Sequence, residues 1–244
     1  MKQSLFTIRE NTPLNGRYSR LVLAGDTSAI TRPGQFADLS LPGFFLRRPF
    51  SVCDWDRKSL TLVYETVGKG TRALHELPAG SALDVLTGLG NGFDLSRAGE
   101  EPLLVGGGSG VSPLLGLCRR LLNAGTRPHV ILGFNTREEV ILAEDFLAMG
   151  VCPTVTTADG SFGIRGFVTE AMEIPHSYYY TCGPEVMMRA VAEKSPVSGQ
   201  LSFDTRMGCG FGACMGCTKK TVSGPKRVCK DGPVFDKEEI LWED

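Results

Sequence analysis

Leu103-Leu-Val-Gly-Gly-Gly-Ser-Gly-Val-Ser-Pro-Leu-Leu-Gly-Leu-Cys-Arg-Arg-Leu-Leu-Asn-Ala-Gly125 is the stretch in which the chain shows an α/β architecture. Leu103-Leu-Val105 is a short apolar run of the kind that fills a buried strand. Gly106-Gly-Gly-Ser-Gly110 follows it directly. Leu114, Leu115, Leu117, Cys118, Leu121 and Leu122 then recur at helical spacing, and Gly125 supplies a stop. Ser112 is expected to cap this helix and Pro113 to suit its first turn. Glycines between a strand and a helix allow a tight turn and let a diphosphate approach the helix N-terminus. The stretch departs from the strict Gly-x-Gly-x-x-Gly form, so by itself it is equally a plain strand–helix turn.

The alternation continues downstream. His129-Val-Ile-Leu-Gly-Phe134 reads as the next strand. A helix is expected over roughly 137–149 and a strand over 152–157. Tyr178-Tyr-Tyr-Thr181 reads as a later strand leading into a helix from Pro184. Strands alternating with helices predict a doubly wound parallel sheet over residues 98–197. Thr181-Cys182-Gly183-Pro184 ends the later strand; taken alone, Cys182 is more often a buried apolar residue than a functional one.

Upstream, residues 1–97 change to short strand-like runs: Arg20-Leu-Val-Leu23, Gln35-Phe-Ala-Asp-Leu39, Phe50-Ser-Val-Cys53 and Leu60-Thr-Leu-Val-Tyr64. Pro33-Gly34, Pro42-Gly43 and Pro78-Ala-Gly80 punctuate them. This spacing predicts a small antiparallel β-barrel. Arg47-Arg48-Pro49-Phe50-Ser51 opens one run, and Gly68-Lys69-Gly70-Thr71 closes the next. An arginine with the amides of a glycine turn can hold a pyrophosphate, and a serine can hydrogen-bond the N5 edge of a flavin. The bland reading of either string is a turn between strands.

Residues 198–244 are rich in glycine and cysteine and carry little periodicity. Four of the eight cysteines fall here, spaced Cys209-x4-Cys214-x2-Cys217-x11-Cys229. The first three match the plant-type spacing for a [2Fe-2S] cluster. Gly208, Gly210, Gly212, Ala213 and Gly216 are small enough to let backbone N–H groups approach cluster sulfur. A zinc site would more often repeat a Cys-x2-Cys knuckle in both halves, and this segment has one such pair. A metal centre would order a segment that buries little apolar surface alone.

The bulk numbers set the remaining limits. The chain has 244 residues, 42% hydrophobic and 22% charged, with a formal net charge of −1. Two compact domains and an appendage fit that length. The charge balance points to neither nucleic acid nor an anionic membrane as the main partner. The first residues lack the pattern of a signal peptide, and no run approaches the ~18 apolar residues of a membrane span, so a cytoplasmic protein is expected. His75, His129 and His176 sit in no catalytic pattern, and the sequence shows no Ser–His–Asp set or P-loop.

Pro33-Gly-Gln-Phe36, Arg48-Pro-Phe-Ser51, Val63-Tyr-Glu65 and Gly68-x-Gly-Thr71, in this order, resemble the FAD domain of the ferredoxin–NADP reductase superfamily. The resemblance implies that Arg48, Pro49, Phe50 and Ser51 line the isoalloxazine and phosphates. Val63, Tyr64 and Glu65 would border the ribityl and adenosine portion, and Gly70 and Thr71 would bind pyrophosphate. It further implies a nicotinamide site on Gly106, Gly107, Gly108, Gly110, Gly183 and Pro184, with Cys182 beside the nicotinamide and flavin. The preference for NAD comes from the family. A nicotinamide exchanges a hydride and an iron–sulfur cluster one electron, so a flavin belongs at their junction.

Met207-Gly-Cys-Gly-Phe-Gly-Ala-Cys-Met-Gly-Cys217 and Lys226-Arg-Val-Cys-Lys-Asp-Gly-Pro-Val-Phe235 narrow the resemblance. The whole chain is similar to the electron-transfer subunits of type B dihydroorotate dehydrogenase. That family implies FAD, a [2Fe-2S] cluster on Cys209, Cys214, Cys217 and Cys229, and NAD. It also implies a catalytic subunit holding FMN, in a heterotetramer of two subunits of each kind, within pyrimidine synthesis. A flavin/iron–sulfur subunit of another NAD(P)H oxidoreductase, such as a ferredoxin oxidoreductase or hydrogenase, is the alternative. A zinc-binding interaction module on a degenerate reductase fold is the reading from another class.

Overall fold

The computed structural model describes residues 1–242; the last two residues of the expected cluster segment lie outside the described residues. The N-terminal part is a closed six-stranded barrel in the order β1-β2-β5-β4-β3-β6. Its strands are β1 (Lys2–Pro13), β2 (Tyr18–Ala24), β3 (Phe36–Ser40), β4 (Arg48–Trp55), β5 (Ser59–Glu65) and β6 (Ala82–Leu89). The short helix α1 (Lys69–His75) follows β5. All the pairings are antiparallel. Alternation explains the closure: Leu21, Leu23, Ala37, Leu39, Leu60 and Leu62 point into one buried core with Phe6 and Ile8.

The opposite face of β3 does a different job. Phe36 packs with Leu86, Leu89, Cys217, Val228 and Cys229 outside the barrel, so the cysteine segment lies against that face. Asp38, two residues further on, is buried there too.

The second sheet has seven strands in the order β10-β9-β8-β7-β11-β12-β15. It is built from β7 (Pro102–Gly107), α2 (Val111–Asn123), β8 (His129–Phe134), α3 (Ala143–Ala148), β9 (Thr154–Thr157), β10 (Ile164–Arg165), β11 (Tyr178–Cys182), α4 (Glu185–Lys194) and β12 (Gly199–Ser202). A hairpin of β13 (Thr218–Thr221) and β14 (Gly224–Arg227), then α5 (Val228–Asp231) and β15 (Val234–Asp236), complete the chain. The strands from β7 to β12 pair in parallel, and β15 joins antiparallel to β12. Leu104 and Tyr180 face α2, whereas Leu103, Val105 and Tyr179 face Met188 and Val191 of α4. Both faces are covered, which is why these strands read as continuous apolar runs. The sheet winds away from β7 in two directions, so β7 and β11 flank the switch point where doubly wound folds bind ligands.

Three local expectations are corrected. Helix α2 begins at Val111 behind a tight turn over Gly108–Gly110, so Gly110 occupies the cap position and Ser112 lies inside the first turn. The helix expected over 137–149 is broken into a turn at Arg137–Glu139 and α3. Leu142 takes a left-handed φ of 62° so that Ile141 and Leu142 can both turn into the core. The parallel sheet also takes a strand, β12, from the segment assigned to the cluster, and β15 pairs with it.

Candidate electron-transfer site

The barrel and the sheet meet across a cleft of about 890 Å³. From the barrel, Pro49, Phe50 and Ser51 of β4, Val63, Tyr64 and Glu65 of β5, and Thr71 of α1 line it. From the sheet come Gly107 at the end of β7 with Gly108 and Gly110 beyond it, and Cys182 at the end of β11 with Gly183 and Pro184 beyond it. The two expected binding strings therefore face one another at the switch point. Three expected residues stand behind the wall. Arg48 turns its guanidinium onto the Leu46 carbonyl at 2.7 Å and over the Phe44 ring. Gly70 leaves no room for a side chain, since a Cβ there would stand 2.6 Å from Arg48 Nε. Gly106 packs under Val111 and Leu114.

Small residues hold the cleft open. A Cβ on Gly110 would run into the Cys182 carbonyl and stand 2.6 Å from Gly183 Cα. The helix start can therefore approach the end of β11 only as glycine. Thr156 Oγ1 is a buried hydroxyl without a protein partner, and the residue lines the cleft together with Ser112. Buried orphan hydroxyls of this kind are ready to bond a polar ligand. Thr71, by contrast, spends its hydroxyl on the fold: the N–H groups of Val67 and Gly68 donate to it at 3.0 and 3.1 Å.

Cys182 is a neutral thiol. Burial pushes it up to about 12, and the neighbouring Asp204 charge adds to the shift. That suits a compact apolar contact on the cleft floor rather than a nucleophile.

Sequence reasoning missed the residues that join the two walls. Arg17, in the β1–β2 turn, donates to Glu65 Oε1 at 2.5 Å within the barrel and to Glu139 Oε1 at 2.6 Å on the opposite wall. Arg20 grips both oxygens of Asp145 at 2.7 Å, and Arg119 of α2 reaches Asp54 of β4 at 2.6 Å. No motif marks these charges; their pairing is purely a matter of domain placement.

The four C-terminal cysteines come together on the outer face of the barrel. The Ala213 and Cys214 N–H groups donate to Cys209 Sγ at 3.2 and 3.4 Å, and the Cys229 N–H donates to Cys217 Sγ at 3.4 Å. Burial opposes the Cys209 thiolate, but the N–H groups of Cys214, Phe211 and Ala213 and the Cys214 thiol outweigh it and bring Cys209 down to about 6. Cys229 is pushed up by burial and by the Cys217 and Cys209 sulfurs beside it. Among the described residues no three His, Cys, Asp or Glu side chains are arranged around a single ion. A [2Fe-2S] cluster asks for something else, two thiolates on each of two bridged irons. The Cys209/Cys214 and Cys217/Cys229 pairs, with N–H donors aimed at sulfur, fit that demand.

The family described as the iron-sulfur cluster binding domain of dihydroorotate dehydrogenase B matches residues 204–241, and an oxidoreductase NAD-binding domain matches residues 104–193. A protein of Geobacillus sp. (strain WCH70), named dihydroorotate dehydrogenase B (NAD(+)), electron transfer subunit, is 38% identical over 256 residues, covering 99% of each chain. A Bacillus caldolyticus protein of the same name is 39% identical over 250 residues, covering 96% of this chain and 97% of its own. Among solved structures, an NADH-dependent reduced ferredoxin-NADP oxidoreductase superposes with a TM-score of 0.87 at 29% identity, over 98% of this chain and 90% of the other. A Neisseria gonorrhoeae ferredoxin NADP+ reductase with bound FAD and NADP has a TM-score of 0.69 at 16% identity, over 80% of this chain and 90% of its own, and shows the fold alone. Near-complete coverage at this identity leaves one assignment: the chain belongs to the dihydroorotate dehydrogenase B electron transfer subunit family.

Proposed function

We propose that this chain is the electron-transfer subunit of an NAD⁺-dependent dihydroorotate dehydrogenase, carrying electrons from a catalytic partner to NAD⁺ in pyrimidine synthesis. The observation that carries the reading is that one strand pair serves both centres. Pro49 of β4 lines the cleft, and its cross-strand neighbour Asp38 on β3 lies under the cysteine loop. A flavin in the cleft and a cluster on the loop would thus share one wall.

Residues 1–97 would hold FAD, 98–197 NAD and 198–244 the cluster. Pro49, Phe50 and Ser51 supply the wall for the flavin ring, with the Ser51 hydroxyl available to its N5 edge. Val63, Tyr64 and Glu65 border the ribityl and adenosine side. Thr71 and Gly70 keep the phosphate turn closed, and Arg48 braces Gly70 from behind. Gly107, Gly108 and Gly110, backed by Gly106, admit the nicotinamide nucleotide, and Cys182, Gly183 and Pro184 form the floor beneath it. When bound, the flavin supplies the exchange between single electrons and a hydride. The partner is an FMN-containing catalytic subunit, in an assembly of two subunits of each kind. Among the described residues no helix is long and apolar enough to cross a membrane, in keeping with a cytoplasmic complex.

The test is reconstitution. Expressed together, the two subunits should co-purify with FMN, FAD, iron and sulfide, and NAD⁺-linked orotate formation should require this chain. Full NAD⁺-linked activity from the catalytic subunit alone would refute the reading. The structural likeness to a reduced ferredoxin-NADP oxidoreductase favours one alternative, the same cofactors with a different partner. Capture of a ferredoxin-linked flavoprotein in place of the FMN subunit would select it.

A further inference from the structure

The outer face of β3 contains a charge that packing does not require. Phe36, Leu86 and Leu89 meet the cysteine segment there with apolar surface. Asp38 lies on the same face, 3% exposed, and its Oδ1 has no hydrogen-bond partner. A buried carboxylate without a partner costs stability, so a fold that retains one without a function is unusual.

The cations nearby are spent elsewhere. Arg47 donates to Asp84 Oδ1 at 2.7 Å and to the Asp38 backbone carbonyl at 3.3 Å, not to its carboxylate. Arg48 donates to the Leu46 and Arg47 carbonyls and lies over Phe44. The carboxylate instead faces the cysteine loop. A Cβ on Gly210, the residue after Cys209, would stand 2.5 Å from Asp38 Oδ2, and Gly210 has a φ of +76°. Space and backbone conformation both make that position a glycine, and the result is a loop seated directly on the carboxylate. Burial pushes the Asp38 carboxyl up to about 6, with Arg47 pulling it down, Cys209 pushing it up and Arg48 pulling it down.

We infer that Asp38 is a positioning charge for electron transfer: an unpaired carboxylate built beneath the cluster loop that holds the cluster's reduction potential down. Reduction adds one negative charge to the cluster, and a carboxylate without a hydrogen-bond partner in a poorly solvated site opposes that addition. A lower potential makes the reduced cluster a stronger donor toward the flavin wall, which begins at Pro49, directly across from Asp38. The inference rests on the cluster assignment above.

The experiment is a redox titration followed by electron paramagnetic resonance on the holo-complex, comparing wild type with Asp38→Asn, Asp38→Ser and Asp38→Glu. Iron, sulfide and FAD contents are measured first; a wild type without iron and sulfide would defeat the cluster assignment itself, a separate result. The neutral variants should load the cluster and titrate at a higher midpoint potential, whereas Asp38→Glu should stay near wild type. A fully loaded neutral variant with the wild-type potential would overturn the inference. Loss of the cluster from both neutral variants would also overturn it, by showing that the carboxylate is structural.

Discussion

Arg17 Nη1 stands 2.6 Å from Glu139 Oε1, so a turn of the barrel is ion-paired to the loop that follows β8 of the parallel sheet. The same guanidinium holds Glu65 at 2.5 Å, and both acids line the cleft. One cation thereby pairs with two carboxylates, halving their net charge beside the space where a pyrophosphate-bearing ligand would lie.

Replacing Arg17 with Ala should therefore affect ligand binding more than folding. Its side chain is half-exposed, so each lost pair is worth about 0.2–1 kcal/mol. Freed Glu65 and Glu139 would repel the phosphates of FAD. Thermal unfolding of the apo-protein should change little, while FAD should dissociate more readily on dilution. Unchanged FAD retention would contradict this role.

Gly110→Ala should damage the switch point. The φ of Gly110 is −66°, so the backbone tolerates alanine; the obstacle is the new methyl group driving into Cys182 and Gly183. Overpacking of this kind costs about 1–3 kcal/mol. Denaturant unfolding should report that loss, and fluorescence titration should show weaker NADH binding.

Cys209→Ser removes the sulfur that collects the Ala213 and Cys214 N–H groups. The cluster and the link to the partner's electrons should be lost, while NADH–dye reduction through FAD partly survives. Iron analysis and the two assays run side by side check this. Equal loss of both activities would argue against separate flavin and cluster units.

Asp94 gives a pH prediction. Its Oδ1 accepts from Ser96 Oγ at 2.7 Å and Ser96 N at 3.0 Å, capping the turn that leaves the barrel. The Ser96 hydroxyl leads the effects that hold the carboxyl below its ordinary value of about 3.9. A depressed folded value means that the stabilisation is complete above that ordinary value and disappears as pH falls through the folded one. Asp94→Ala should cost about 1 kcal/mol at pH 7. Unfolding curves of variant and wild type should converge in acid. A constant gap at every pH would refute the assignment.

Much of the site was legible because its requirements are local. A strand that turns through Gly106–Gly110 into a helix needs glycine wherever it passes Cys182, and the iron–sulfur reading rests on four cysteines at short, fixed spacings. Arg48-Pro-Phe-Ser51 pointed to the cleft, although Arg48 itself turned out to face Leu46 and Phe44 behind the wall. The helix expected over 137–149 failed for the opposite reason: its period continued through Ile141 and Leu142, but burying both required a left-handed break.

By itself, then, the sequence determined the three-part order, the clustering of four cysteines at an iron–sulfur spacing and the glycine turns, because each follows from the chemistry of residues close together in the chain. Only the tertiary structure decided that Arg17 pairs with both Glu65 and Glu139, that β15 adds to β12, and that Asp38 lies buried under Gly210. Those contacts join residues 32 to 172 positions apart in the chain, as from Ser202 to Val234 and from Asp38 to Gly210. Their energy depends on distance and burial, which exist only once the barrel, the sheet and the cysteine loop have packed.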